Sequence, residues 1–413
     1  MKRSWRSVLA AMFLIRAEDG WPGPAIIWSI LAAISVSAAG IVASRPGHLG
    51  DLHTVREWLS YWTSTTGNPY THFAPMLDYP PISFLVLWPV SLLPEQGLAF
   101  WFLPGAVLLT AFAVWTQTSW TADRLRISLS ASERLALIAL VLAGSGTRSG
   151  LWAGQTVALS LIFGMLALRW KRSRPWLAAL CLALCSFKLH IAAGFLLAVL
   201  LLAGPTVPII ASVITLLFSW LFAATVNQSL PGILIDYGRN LIALYGGEHR
   251  VRGMLSIRFV LDDLIGWYSL SFAVYLVLAV SALTTLVVLS QRRRADDTTQ
   301  ALVAVSSMLL SLVFLPHQVY NSLFAAPALF LLMWPESGLI PNRRIRAIWV
   351  AAYVLFGVID PSRTIRLTIL PITESDLVFW LSYNLNPLRP AALFTLILWR
   401  LYQRPPREYE PAA

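Results

Sequence analysis

Charge is what this sequence has least of. Only 12% of its 413 residues are Asp, Glu, Lys or Arg, against about 25% in a soluble globular domain. With 57% hydrophobic residues and a mean hydropathy of +0.67, the deficit excludes a water-soluble fold. It predicts an all-α polytopic integral membrane protein, because a helix satisfies its own backbone hydrogen bonds within one lipid-embedded segment. The short alternating strands and turn signals of a transmembrane barrel are missing. So are internal repeats and low-complexity tracts. There are 2 cysteines, Cys181 and Cys185. One helical turn apart on an apolar run, they read as packing residues rather than a disulfide. No phosphate loop, dinucleotide fingerprint or zinc signature occurs, so a soluble nucleotide or nucleotide sugar is not the expected substrate. No carboxylate cluster of the kind that holds a cation occurs either. A metal-independent reaction without a cofactor is expected.

The net charge of +11 is placed in short clusters between apolar runs, such as 169–174 and Arg292-Arg293-Arg294. That is the pattern of cytoplasmic loops, not of a nucleic-acid surface. Apolar runs lie at 24–44, 80–93, 98–118, 134–144, 152–169, 176–187, 190–203, 206–226, 268–290, 300–315, 319–334, 345–358 and 388–402. Several are shorter than the ~20 residues a straight span needs. Such pieces persist at membrane depth only when buried in protein or lining a cavity, so a wet cavity is expected. Treating 80–93, set off by Pro80-Pro81 and Pro94, as re-entrant leaves about 12 transmembrane helices and both termini in the cytoplasm. On this reading 1–23 is a cytoplasmic interfacial segment, 24–402 the transmembrane domain, and 403–413 a cytoplasmic tail. The segments 119–134, 169–175, 291–299 and 335–346 also face the cytoplasm. The loops 45–79, 145–151, 227–267 and 359–387 face outward.

The first outer loop holds the leading chemical candidate. A helix over 51–63 puts Leu52, Val55, Leu59 and Trp62 on one face, laying it on the membrane with Asp51 at its start. An aspartate there caps a helix well. Beside His53 and Arg56 it is also where a general base belongs. Asp78-Tyr79-Pro80-Pro81 closes the loop, and its prolines either fix a helix entry or hold Asp78 and Tyr79 at a cavity rim. Gln155, after the glycine-rich 144–150, needs a polar partner at membrane depth. Lys188 and His190 interrupt an apolar run. A lysine in that setting marks a functional site unless it snorkels. Arg239, Arg250, Arg252 and Arg258 stand on the side the charge rule disfavours, which suits an anionic phosphate. Some of them pair with Asp236, Glu248, Asp262 and Asp263. Pro316-His317-Gln318, followed by Tyr320-Asn321, breaks another apolar run and suits a cavity wall.

In order along 45–325, Gly50-Asp51, Asn68-Pro69-Tyr70, Tyr79-Pro80-Pro81, Leu92-Leu93-Pro94, Gly154-Gln155, the run ending in Lys188, and Pro316-His317 resemble one family. It is the polyprenol-phosphate-mannose-dependent mannosyltransferases of glycosyltransferase family 87. The resemblance implies a GT-C fold with an extracytoplasmic active-site cavity and a catalytic aspartate at Asp51. The family's late histidine corresponds to His317 and its lysine to Lys188. The implied donor is a polyprenyl-phosphate-linked sugar reached from the bilayer. The acceptor is a glycolipid or glycan at the outer face of the cytoplasmic membrane. Asp51 takes the acceptor proton, while Lys188, His190, Arg252, Arg258 and His317 face the leaving phosphate. His53, Tyr79, Gln155, Gln318 and Asn321 bind substrate.

Three other readings stand beside it. A transporter or flippase shares broken helices and midplane polar residues, but usually has repeats. A glycan ligase or polymerase using a polyprenyl-diphosphate-linked chain suits the outward arginines equally. A non-catalytic scaffold leaves the buried polar residues without a purpose.

Overall fold

The structure is a computed structural model and describes residues 23–43, 49–74, 77–94, 98–245, 256–293, 296–317, 319–359 and 376–404. The described residues are helical, with no strand. The chain divides into two compact units. One, here the Asp51 unit, comprises Ser37–Ala113 and Ser149–Arg252; the other, the His317 unit, comprises Met1–Val36, Val114–Arg148 and Gly253–Ala413.

In chain order the helices begin with α1 Gly23–Ala43, α2 Gly50–Thr65, α3 Pro69–His72, α4 Ile82–Ser91, α5 Leu98–Leu125 and α6 Ala131–Leu142. Next come α7 Ser145–Ala153, α8 Val157–Trp170, α9 Pro175–Cys185, α10 Leu189–Ala203, α11 Thr206–Thr225 and α12 Leu230–Tyr245. The chain continues with α13 Ile257–Ile265, α14 Tyr268–Arg292, α15 Asp297–Phe314, a 3-10 segment Val319–Ala325, α16 Ala326–Met333, α17 Arg343–Ile359 and α18 Asp376–Gln403. Local chemistry sets many of the ends. Ser130 and Glu133 form a reciprocal capping box at α6, Asp296 caps α15 through the Thr299 N–H, and Pro175 opens α9, where its missing N–H costs nothing.

In the Asp51 unit α9 packs on α8 and α11, α4 packs on α2 and α11, and α12 packs on α3 and α11. Gly164 of α8 lets α10 pack close to it: a Cβ there would lie 2.2 Å from the Phe195 ring of α10. An aromatic core of Trp58, Trp62, Tyr70, Tyr79, Phe84, Phe222 and Tyr237 fills the space below α2. Phe84 and Phe222 stack with centroids 4.4 Å apart. Cys181 and Cys185 are both free and buried, and the Cys185 carbonyl accepts from the Ser160 hydroxyl at 2.8 Å.

In the His317 unit α15 is the inner helix, 78% buried over its apolar window, whereas α14 is only 11% buried and turns its apolar surface outward. Arg124 and Arg126 pair with Asp297, and Arg404 pairs with Asp296. Gly338, at φ 62, packs so closely on Arg400 that a Cβ would meet its guanidinium at 2.3 Å. Four segments expected on one side, 119–134, 291–299, 335–346 and the C-terminal end, therefore meet at one end of this unit.

Among the described residues, three helices reach the length and apolarity of a full span, namely α11, α14 and α15; the α6–α7 pair, bent by 64°, makes a fourth. The expected total was about 12. The other apolar helices, α4, α8, α9 and α10 among them, fall where the runs predicted but are shorter. Two expectations are corrected. Residues 145–151, read as a loop from their glycines, form α7. Its start is tied down by the Thr147 hydroxyl on the Val141 carbonyl at 2.7 Å and by the Arg148 N–H on the Gly144 carbonyl. The run 152–169 is interrupted at Gly154–Thr156, where Gly154 takes φ +76. Residues 1–22 and 405–413, and the side chains of Arg250, Arg252 and Gln318, lie outside the described residues.

Candidate active site

The site of the Asp51 unit is built where three chain breaks meet. The first is the start of α2. Leu49 occupies the N-cap at φ 60 with no side-chain cap bond, and Asp51 sits in the first turn. The N-cap position open to Asp51 in the sequence therefore belongs to Leu49. The Asp51 carboxylate stays at the helix's positive end, half-buried. The second break is the turn between α7 and α8. Here the left-handed Gly154 lies so near α2 that a Cβ would be 2.5 Å from the Leu52 Cβ. The Leu49 N–H donates to the Trp152 carbonyl at 3.2 Å. This close approach, open only to glycine, sets Gln155 beside the start of α2. The third break separates α9 from α10, leaving Lys188 at the N-cap of α10. Ser83 of α4 anchors it by donating to the Phe187 carbonyl at 3.0 Å.

Lys188 is the hub, 6% exposed. Its ammonium donates to the Tyr79 hydroxyl at 2.5 Å and to Gln155 Oε1 at 3.0 Å, and lies 4.1 Å from the Tyr79 ring centroid. Asp78 first, and Asp51 after it, act electrostatically on this ammonium. A buried cation held by two oriented oxygens and acted on by two acids is a preformed charge site, since low local polarity strengthens each contact.

The 68–79 segment is braced from α12. Asn68 donates to Asp236 at 2.9 Å, and Asn240 donates to the Tyr70 carbonyl at 3.1 Å. The Tyr70 hydroxyl in turn donates to the Tyr79 carbonyl at 2.6 Å. Burial pushes the Tyr70 phenol well up, with Tyr237 and the Asp78 charge adding to it. Burial and Asp78 raise Tyr237 likewise. Both phenols therefore stay protonated as donors. Trp58 meets Tyr79 edge-on at 5.7 Å.

The structure thus brings Asp51, Tyr79, Gln155 and Lys188 together. His190 is half-buried in the first turn of α10, and His53 is exposed on α2. The sequence reading puts Asp78 at the rim beside Tyr79; its electrostatic reach to Lys188, Tyr70 and Tyr237 gives it a larger part. Asp236 and Asn240, which hold the loop, carry no local signal of that role.

The other candidates belong to the His317 unit. His317 is fully buried; its Nε2 is 3.4 Å from the Ser311 hydroxyl and its ring stacks on Phe324. Asn321 is buried in the 3-10 segment. Arg258 on α13 donates to the Tyr268 hydroxyl at 2.6 Å, lies 3.9 Å from Asp262, and packs over Tyr268 and Phe272. Arg239 pairs with Asp236 at 3.6 Å on an exposed face, a contact of small energetic weight. Among the described residues no three His, Cys, Asp or Glu side chains converge as a metal site would require.

Residues 77–316, more than half of the chain, match the family model for Glycosyltransferase family 87. The chain belongs to glycosyltransferase family 87. No curated protein matches it. A family 87 domain is of the GT-C type, and the chain is accordingly a membrane glycosyltransferase, as its apolar helices also indicate. The matched stretch takes in Asp78, Tyr79, Gln155, Lys188, His190 and Arg258. It begins after Asp51 and His53, and ends just before His317.

Proposed function

We propose that this family 87 glycosyltransferase moves a hexose, with mannose the first candidate, from a polyprenyl-phosphate donor to a glycolipid or glycan acceptor. The reaction takes place at the outer face of the cytoplasmic membrane. One observation carries the reading: Tyr79 and Gln155 hold in place a buried Lys188 on which the charges of Asp78 and Asp51 act. A carboxylate for the acceptor proton and a cation for the leaving phosphate are the two parts such a transfer needs.

The acceptor hydroxyl oxygen bonds to the anomeric carbon as the bond from that carbon to the phosphate oxygen breaks. The hydroxyl proton passes to the Asp51 carboxylate, and the electron pair leaves with the lipid phosphate. That phosphate is an anion at neutral pH and needs charge stabilisation rather than a proton. Lys188 supplies it, with His190 and Arg252 as further groups for the donor. His53, Tyr79 and Gln155 orient the sugars. One displacement with one base inverts the anomeric centre, by analogy with inverting glycosidases.

Transfer of radiolabelled sugar from synthetic polyprenyl-phosphate sugars in nanodiscs tests this. Wild type transfers the label from a monophosphate donor, and Asp51→Asn, folded by thermal melting, does not. Transfer only from a diphosphate-linked donor makes the protein a ligase or polymerase. Full activity in Asp51→Asn removes Asp51 as the base.

A further inference from the structure

Far along the chain, a second cation stands in an apolar setting. Arg389 lies at the middle of α18, between Pro387 and Pro390. Its Nη2 donates to Asn386 Oδ1 at 3.0 Å, its Nε is buried with no hydrogen-bond partner, and no carboxylate pairs with it among the described residues. An arginine at the wall of a largely apolar cavity is costly unless something anionic meets it; Arg258 and Arg404 of this unit meet Asp262 and Asp296.

Two cavities open beside this guanidinium. One, of about 210 Å³, lies between α17 and α18 and is lined by Trp349, Ala352, Tyr353, Leu388, Ala392 and Leu393, with Arg389 itself at its wall. The other, of about 70 Å³, is lined by Leu140, Leu312, Leu329 and Val354, and it shares Tyr353 and Arg389 with the first. Apart from Tyr353, Asn386, Thr147 and the arginine, the walls are apolar. The outer side of α17 carries exposed Ile345, Ile348 and Trp349, an apolar face of the kind a bilayer covers. A hydrocarbon-lined space reached from lipid, with one uncompensated guanidinium at its wall, has the shape and charge of a lipid phosphate site: the fork of an arginine matches phosphate oxygens, and the cavity takes acyl chain.

We propose that Arg389 binds the phosphate of a bilayer phospholipid whose acyl chain enters the cavity between α17 and α18. This is a site apart from Lys188 and from the sugar donor. Tyr353, which lines both cavities, closes the space around the chain. The bound lipid supplies the anion that Arg389 lacks among the described residues and fills the gap between the two helices.

The test is native mass spectrometry of the full chain, delipidated in detergent and then titrated with phosphatidylglycerol. Wild type retains one lipid. Arg389→Gln lowers its affinity about tenfold or more, the loss of one charge-assisted contact, and Ala392→Phe, which fills the cavity and keeps the arginine, lowers it comparably. Melting without lipid shows that both variants are folded; with lipid added, wild type gains stability and the variants do not. Equal retention by Arg389→Gln and wild type overturns the site. Displacement of the retained lipid by a polyprenyl phosphate at equal concentration overturns its separateness from the donor. Displacement by inorganic phosphate alone overturns the role of the acyl chain. Because the readout is binding, it stands or falls independently of sugar transfer.

Discussion

The Lys188 ammonium of the α9–α10 break donates to the hydroxyl of Tyr79 at 2.5 Å, across 109 residues of sequence. Gln155 holds the same ammonium from a second direction, so the cation is fixed before any substrate arrives. Preorganised charge of this kind is worth most where charge grows in the transition state. Lys188→Met keeps the length of the side chain and removes the charge; sugar transfer falls about 10²–10³-fold, as for loss of one oxyanion donor. Tyr79→Phe leaves Gln155 in place and costs about tenfold. Initial rates at saturating donor measure both, and a Lys188→Met enzyme with more than a tenth of wild-type activity would remove Lys188 from the leaving-group role.

Gly154 governs how close the α7–α8 turn comes to α2. Its φ of +76 is strained for any other residue, and a methyl there would press on Leu52 at 2.5 Å. Gly154→Ala costs about 1–3 kcal/mol and moves Gln155 away from Lys188, so melting temperature and transfer both drop. Gly238 on α12 meets nothing within 4 Å; Gly238→Ala is neutral or stabilises by about 0.5–1 kcal/mol. If thermal melts in detergent show equal effects for the two substitutions, the close approach is not what the chain depends on.

Much of this arrangement could be read from the sequence, for identifiable reasons. The run 206–226 became Thr206–Thr225, 268–290 became Tyr268–Arg292, and the helix placed at 51–63 runs Gly50–Thr65. Apolar periodicity with glycine and proline punctuation fixes such boundaries locally. Lys188 and Gln155 stood out because a polar group at membrane depth demands a partner. The identity of that partner did not stand out, since contacts across a hundred residues leave no mark in local pattern. Asp78 was thus placed at a rim without its electrostatic link to Lys188. Helix α7 failed for a related reason: the glycines of 144–150 spell a loop, and the bonds from Thr147 and Arg148 back to Val141 and Gly144 override them.

The pairing of Asp296 with Arg404 ties the start of α15 to the end of α18 just outside the span. Burial alone would raise this carboxyl, but the Thr299 N–H and hydroxyl together with Arg404 outweigh it and hold it below its ordinary value. A carboxyl depressed in the folded state adds stability that is complete above its unfolded value, about 3.9. That stability is lost as pH falls through the folded value. The melting temperature of wild type should therefore decline more steeply below about pH 4 than that of Asp296→Asn, with the two curves converging at the acid end. Parallel curves throughout that range would mean that the pair contributes nothing to folding. The partly exposed setting keeps the effect small.

Asp51 and Asp78 both act on Lys188, and only one of them can be the base in a single displacement. Asp51 stands at a helix start on the outer loop, whereas Asp78 is adjacent to Tyr79 and also acts on Tyr70 and Tyr237, which suits a group that holds the cation and the loop in place. Loss of a general base costs about 10²–10⁴-fold, so Asp51→Asn removes nearly all transfer. Asp78→Asn keeps a measurable rate, about tenfold down, by loosening Lys188. The pH profile of kcat/KM separates the roles: the acidic limb that reports the base survives in Asp78→Asn and disappears from the residual activity of Asp51→Asn. The opposite assignment, a lost limb in Asp78→Asn with Asp51→Asn active, moves the base to Asp78 and leaves Asp51 as the residue that positions the ammonium.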